Sequence, residues 1–501
     1  MTDLREILAK SRFGGRTAEE EQTELSAFFV ETPYWRSVFE GEVDVVYGSK
    51  GSGKTAIYTL LLNRSLELRQ RGILVIAAEN PRGAPAFGVL AQNPPKTEFD
   101  FINLWTLYFL ILLAHRLQTD LPAEAKELVK PLHARRLLED GADQLRVLRR
   151  CIDWVRSLRV IPTTTITFDP RIGVPVATIG LDPRVDKEEA TTAVGTDWLY
   201  EILESADEFL RQRGLSAWIL IDRLDIAFED SEELESNALR GLFKAYRELT
   251  RRVSRISLKI FLRDDIWSRI TQKEMFRGAT HIERETTITW PDELLSHLVA
   301  RRLLSNVGIQ EFAKADPKRA GEDLEYRADV LYRIFPLVVE EGGSATDTLP
   351  WMLSRTRDGT GRNTPRELIH LLIAAAKQQI ALIDLGAGRP LHGTLFHPTA
   401  LIRAMAEVSR ARLERTIYSE HPTLGALIRE LDQETALLTT EDLARIWRMN
   451  EEGAHVQASQ LVEIGVFAKV RVNEKPCYWV PYLYQSGLGM ISVPPPHSTQ
   501  E

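Results

Sequence analysis

At 501 residues and 56.9 kDa the chain exceeds the roughly 250 to 300 residues at which a single core stops growing, so about two to four domains are expected. With 44% hydrophobic and 27% charged residues broad disorder is excluded. A formal net charge of -8, from 63 basic and 71 acidic side chains, gives no global attraction to nucleic acid or anionic membrane, and two cysteines, Cys151 and Cys477, exclude a disulfide framework and fit a reducing, cytoplasmic compartment.

In chain order, Met1 to Arg16 carries Asp3, Arg5, Glu6 and Lys10 among its apolar residues and so lacks the unbroken apolar centre of an export signal. Residues 1–40 read as an N-terminal helical segment. Residues 41–290 read as an α/β core. Val43-Asp44-Val45-Val46-Tyr47 predicts a buried strand, Thr55 to Arg71 a helix ended by Gly72, and Ile73 to Ala78 a second buried strand. That order implies a parallel sheet with a crossover. Between about 80 and 195 the alternation breaks, and this stretch reads as an insertion containing a hairpin over Val160 to Ile179. Within it Phe99 to Leu113 is the most apolar segment, but Asp100 and Asn103 interrupt it, so it reads as a buried helix and no membrane span is expected. The α/β pattern resumes with strands Ala217 to Ile221 and Leu258 to Leu262 around a helix from Glu233 to Arg252. Residues 291–388 then read as a helical lid, 389–490 as a winged-helix domain and 491–501 as a disordered tail. In the winged-helix stretch Asn473 to Pro476 is taken as the loop between two strands, the second over Tyr478 to Tyr482.

The chemistry concentrates at Gly48-Ser49-Lys50-Gly51-Ser52-Gly53-Lys54-Thr55. A triphosphate needs many donors at short range, and glycines let successive backbone N–H groups wrap round it at a helix N-terminus. In such a loop Lys54 reaches the β- and γ-phosphates and the Thr55 hydroxyl ligates magnesium, so ATP and Mg²⁺ are the expected ligands. Asp222, after Trp218-Ile219-Leu220-Ile221, is the acid that would hold a magnesium-bound water. The alternative Asp384 continues a helical period and is rejected. For orienting the attacking water Asp225 comes first, with Glu229 and Glu79 behind it, and Arg263 follows a strand where a cation would lie beside the γ-phosphate. Arg366, in competition with Arg362, opens a lid helix and could reach the nucleotide.

Together, Gly48 to Thr55, Ile219 to Asp225, Phe261-Leu262-Arg263 and Gly361 to Arg366 resemble STAND-class (NACHT-like) and initiator-type AAA+ ATPases, and the C-terminal winged-helix pattern adds to the likeness. The resemblance implies an ATP-binding, slowly hydrolysing switch that couples nucleotide state to self-assembly or to a separate effector protein. Bacterial members of that kind are often linked to defence against phage. The other reading it implies is a DNA-associated initiator or loader, and a third is a binding module with a structural nucleotide. Arg223 stands where many AAA+ relatives have a glutamate, which implies slow turnover.

The second winged-helix helix, Glu451 to Ile464, holds no Lys or Arg, so base recognition through it is disfavoured. Nucleic acid, if bound, is expected at basic helix faces instead: Arg146, Arg149, Arg150, Arg156 and Arg159 on one helix, Lys244, Arg247, Arg251, Arg252 and Arg255 on another. Tyr34 and Trp35 are candidates for stacking on a base, with core packing the alternative.

Overall fold

The computed structural model describes residues 4–496 other than 16, 18, 19, 22, 23, 80–86, 88, 93, 96, 140, 142, 158–162, 169–174, 181–196, 225–230, 273–281, 341–345, 388, 389, 391 and 392. The chain folds into two compact units: Tyr34–Gly48 with Lys54–Thr287, and Met1–Pro33 with Ser49–Gly53 and Ile288–Glu501. The fold is mixed α/β, as the order of apolar runs implies.

The first unit is built on five strands, β1 (Val45–Gly48), β2 (Ile73–Ala77), β5 (Ser216–Ile221), β6 (Ile256–Arg263) and β7 (Glu285–Thr287), in the order β2-β5-β6-β1-β7. All neighbours are parallel. β1 is buried along its whole length, which is why its sequence is continuously apolar instead of alternating. The helix after it is two pieces, α1 (Lys54–Asn63) and a shorter helix from Ser65 to Gln70, broken at Arg64. Two strands of the 80–195 stretch, β3 (Thr163–Phe168) and β4 (Pro175–Gly180), form the antiparallel hairpin read from the sequence.

That stretch is more than an interruption of the core. Its helix α2 (Glu98–Asp120) starts from a capping box made by Thr97 and Asp100 and buries Leu104, Trp105, Tyr108, Phe109 and Ile111 completely. α2 is long and apolar enough to cross a membrane, yet 78% of its most apolar window is buried inside the protein. Trp105 also donates its indole N–H to the Ala238 carbonyl at 2.9 Å, tying α2 to α5 (Glu232–Arg252). The helices α3 (Gln144–Ser157) and α4 (Asp197–Gln212) complete this layer, with Leu148, Cys151, Leu199 and Leu203 in the same core. Trp35 is 1% exposed and stacks on Phe39 at 5.0 Å, so it is a packing residue and takes no base.

One charged cluster lies inside this unit. Lys259 on β6 is 1% exposed, donates to Asp44 Oδ1 at 2.8 Å and to the Val43 carbonyl at 2.6 Å, and lies over the Trp218 ring. Arg284 and the Tyr246 hydroxyl also reach Asp44, at 3.3 and 3.2 Å. Burial lowers the Lys259 ammonium from its usual range, and Asp44 opposes that.

In the second unit the helices α6 (Asp292–Leu304), α7 (Pro365–Asp384) and α8 (Pro398–Arg412) share one apolar core with the C-terminal residues as far as Met490. Asp384 is inside α7 and pairs with Arg5 at 2.6 Å. After α8 come a π-helical turn (Leu413–Ile417), α9 (Tyr418–Glu420), α10 (Pro422–Arg429), β8 (Leu437–Thr439), α11 (Thr440–Ile446), α12 (Glu451–Glu463), β9 (Ala468–Val472) and β10 (Lys475–Trp479). The three strands form an antiparallel sheet, β8-β10-β9, so the elements run helix, strand, helix, helix and a two-stranded ribbon. The wing turns tighter than Asn473 to Pro476: both Asn473 (φ 49) and Glu474 (φ 67) are left-handed, a two-residue turn that follows the twist of the strands. The second strand therefore begins at Lys475 and ends at Trp479.

Asp44→Ala leaves the Lys259 charge buried without its carboxylate and is expected to cost about 3 to 5 kcal/mol in urea unfolding, whereas Asp44→Leu with Lys259→Met should recover most of it.

Candidate nucleotide site

Lys54 and Thr55 open α1 directly after the glycine-rich loop, and β1 delivers Gly48 to the carboxyl edge of the sheet. Gly51 and Gly53 have φ of 87° and 101°, a region that costs an L side chain roughly 1 kcal/mol or more. The turn is closed by Ser52 N–H donating to the Ser49 carbonyl at 3.1 Å. The Lys54 ammonium donates to the Gly48 carbonyl at 2.7 Å, folded back across the loop.

Across the sheet edge two carboxylates stand side by side. Ala77 and Leu220 are register partners on β2 and β5, so two residues beyond them Glu79 and Asp222 leave adjacent strands. Ala78 continues the ladder, donating to the Leu220 carbonyl at 2.9 Å. Asp222 is 3% exposed and Glu79 is fully buried. Both face α1 at Tyr58, whose hydroxyl donates to the Glu79 carbonyl at 3.0 Å. The Tyr58 phenol is raised well above its ordinary range by burial first and by the charges of Asp222 and Glu79 next. The sequence ranks Glu79 behind Asp225. The structure places Glu79 opposite Asp222, while Asp225 and Glu229 lie outside the described residues. Glu79 and Asp222 each lie two residues past the last position at which β2 and β5 pair with each other.

Arg223 adopts a left-handed conformation, φ 61°, uncommon for a side chain of its size, and turns the chain sharply away from Asp222. Arg263 is the register partner of Gly48 on β6, so the strand end delivers it to the start of the loop. Its guanidinium, however, grips Asp265 through two hydrogen bonds of 3.0 and 2.7 Å. That pair also brings the Asp265 carboxyl below its usual range, although burial pushes the other way.

In the second unit, residues 49–53 pack against residues ahead of α6 and at the start of α7. The Trp290 indole donates to the Ser52 carbonyl at 2.8 Å. A Cβ on Gly51 would lie 3.0 Å from the Arg366 Cβ and 3.1 Å from the Thr364 hydroxyl, so Arg366, in the first turn of α7, lies beside the loop as its position after Thr364-Pro365 predicts. Lys50 is ion-paired with Glu420. Nothing in the local sequence marks Trp290 or Glu420, because each reaches the loop from a distant part of the chain.

The basic faces are less available than their sequence suggests. Arg150 pairs with Glu139, Lys244 with Glu98, Arg251 with Glu248 at 2.7 Å, and Arg252 with Glu204 at 2.9 Å. Among the described residues no group of three or more His, Cys, Asp and Glu could hold a metal ion.

The parallel sheet, the glycine loop after its first strand and the helix beginning at Lys54 give a strand, glycine loop, helix order within a mixed α/β fold. No family model matches the chain and no curated protein does. Among solved structures a similar chain is the Aeropyrum pernix ORC2 protein, described in ADPNP–ADP complexes, at 12% identity over 97% of this chain and 99% of that one with a TM-score of 0.32, a likeness too distant to assign a family.

Gly51→Ala forces a Cβ into the contact with Arg366 and Thr364 at an unfavourable φ. We expect at least tenfold weaker binding of a fluorescent ATP analogue with a melting temperature within a few degrees of wild type.

Proposed function

We propose that the chain binds magnesium-bound ATP at residues 48–55 and hydrolyses it slowly, as a switch that couples nucleotide state to self-assembly or to a partner protein. The observation that carries this reading is the loop itself: two glycines held at positive φ between a fully buried strand and the helix that begins with Lys54 and Thr55. The fit to the ligand is chemical as well as geometric. Successive amides at a helix N-terminus favour an anion, a Cβ at position 51 would intrude on the loop's packing, and the nearly buried Asp222 carboxylate suits a hard cation that also takes phosphate oxygens and water.

In this reading Lys54 binds the β- and γ-phosphates, Thr55 and Asp222 hold the metal, and Arg366 lies over the loop. Glu79 takes the place of Asp225 as first candidate for orienting the attacking water, since its carboxylate is buried beside Asp222. Arg263 positions Asp265 before it touches any phosphate. Nothing in the site speaks for a role in phage defence.

A second reading, the DNA-associated initiator or loader, is favoured by the wing. Lys469 and Arg471 alternate along β9 and Lys475 opens β10, all three exposed, and a basic strand pair of this kind suits a phosphate backbone better than the acidic α12 does.

Lys54→Ala should abolish ATP binding in calorimetry. In single-turnover assays Glu79→Gln should slow cleavage at least a hundredfold with binding retained, while Asp225→Asn changes it less than tenfold; the reverse order would return the role to Asp225. On a sizing column the switch reading requires an ATP-dependent change of mass. The DNA reading requires duplex binding that weakens steeply with salt and is lost in Lys469→Glu with Arg471→Glu.

A further inference from the structure

Two polar tethers run from residues 49–53 to one short stretch of the C-terminal region, all within the second unit. The first is the ion pair of Lys50 with Glu420, whose side chains are 32% and 23% exposed. The second is a chain of groups. The Thr364 hydroxyl, which a Cβ on Gly51 would meet at 3.1 Å, donates to Glu367, and the other oxygen of Glu367 accepts from Arg412 at 3.0 Å. Thr364 and Glu367 are 5% and 4% exposed, and the Arg412 side chain is 11% exposed. Thr364 stands at the N-cap of α7 but makes no capping bond there, its hydroxyl being engaged with Glu367. Tyr484, fully buried, lies against Arg412, and burial pushes its phenol up to about 12.

Arg412 and Glu420 bracket the π-helical turn Leu413–Ile417. Eight residues apart on a regular α-helix, they would point about 80° from each other. The wider i→i+5 turn brings them to within about 10° of one face. The turn thus brings a cation and a carboxylate to one side of the helix, Arg412 toward Glu367 and Glu420 toward Lys50.

We propose that Glu420 and Glu367 are positioning residues for the phosphate loop, and that through them the segment Arg412–Glu420 sets the chain's affinity for a triphosphate. The inference rests on the nucleotide reading given above. The two tethers act with opposite sign. Glu420 places a carboxylate against a cation of the loop and so works against a triphosphate, whereas Glu367 holds Thr364 against Gly51 and keeps the loop in its binding conformation.

The test is titration of the full chain with magnesium and a fluorescent ATP analogue, with melting temperature recorded for each variant. Glu420→Gln is expected to tighten binding about tenfold, and Glu420→Asp to restore wild-type affinity to within about threefold. In the Lys50→Met background Glu420→Gln should have no effect, because the group it acts on has gone. Glu367→Gln is expected to weaken binding about tenfold. Should that variant melt early because Arg412 is left buried without its carboxylate, Glu367→Gln with Arg412→Met carries the same expectation. If wild type binds and Lys54→Ala does not, yet Glu420→Gln binds within twofold of wild type, the positioning role is overturned and the nucleotide reading stands. An equal effect of Glu420→Gln with and without Lys50 overturns the positioning role in the same way. If wild type itself fails to bind, the nucleotide reading falls and this inference with it.

Discussion

The candidate site depends on one constraint, a stretch of backbone shaped by two glycines at positive φ. The loop from Gly48 to Lys54 has glycines at φ of 87° and 101°, a region that glycine enters without strain and a side chain does not. β1 supplies the anchor on one side, being buried along its length between β6 and β7. On the other side the chain enters α1, whose N-terminal N–H groups have no helical partners and carry positive potential. A parallel sheet suits this because its strands all end on one edge, so Asp222, Glu79 and Arg263 are delivered to that edge by β5, β2 and β6.

The sheet can serve as an anchor because its far side is sealed. α2 contributes Leu104, Trp105, Tyr108 and Phe109, each fully buried, and the Tyr108 hydroxyl is bonded to the Ala78 carbonyl just before Glu79. Packing of the inserted stretch and placement of a carboxylate at the site are therefore linked through one strand end. Asp44 and Lys259 do the same at the opposite end of β1, where Ile260 N–H also donates to the Asp44 carbonyl at 2.8 Å. A buried charge pair is a costly way to hold two strands, but it fixes their register in a sheet whose apolar runs would otherwise slide past one another.

In the second unit the residues of the loop meet polar groups that belong to three separate segments: Trp290 ahead of α6, Thr364 and Arg366 at α7, and Glu420 after the π-helical turn. The C-terminal helices and three-stranded sheet are held by other residues. Thr439 and Asp442 cap α11 reciprocally, Asn450 caps α12, and Trp447, Phe467 and Tyr478 stack in their core at 6.4 and 5.7 Å. The segment Arg412–Glu420 shares in this packing, since Leu413 and Ile417 lie in the same apolar core.

The sequence by itself determined the glycine-rich loop, the strands before and after it, the helical character of Phe99 to Leu113 and the order of elements in the C-terminal stretch, because each is a local pattern: glycine spacing, continuous apolar runs, or a cap followed by a periodic helix. It also placed Asp222, since a carboxylate ending an apolar strand is visible without neighbours. It undervalued Glu79, whose position opposite Asp222 depends on the register of two strands more than a hundred residues apart. It marked Arg263 but not that Asp265 holds its guanidinium, and it marked basic helix faces but not the acids that neutralise them. It took the inserted stretch for an interruption, although α2 fills the core. Only the tertiary structure decided these, for one physical reason: the energies involved come from burial and from charges meeting across space, and neither has any period along the chain.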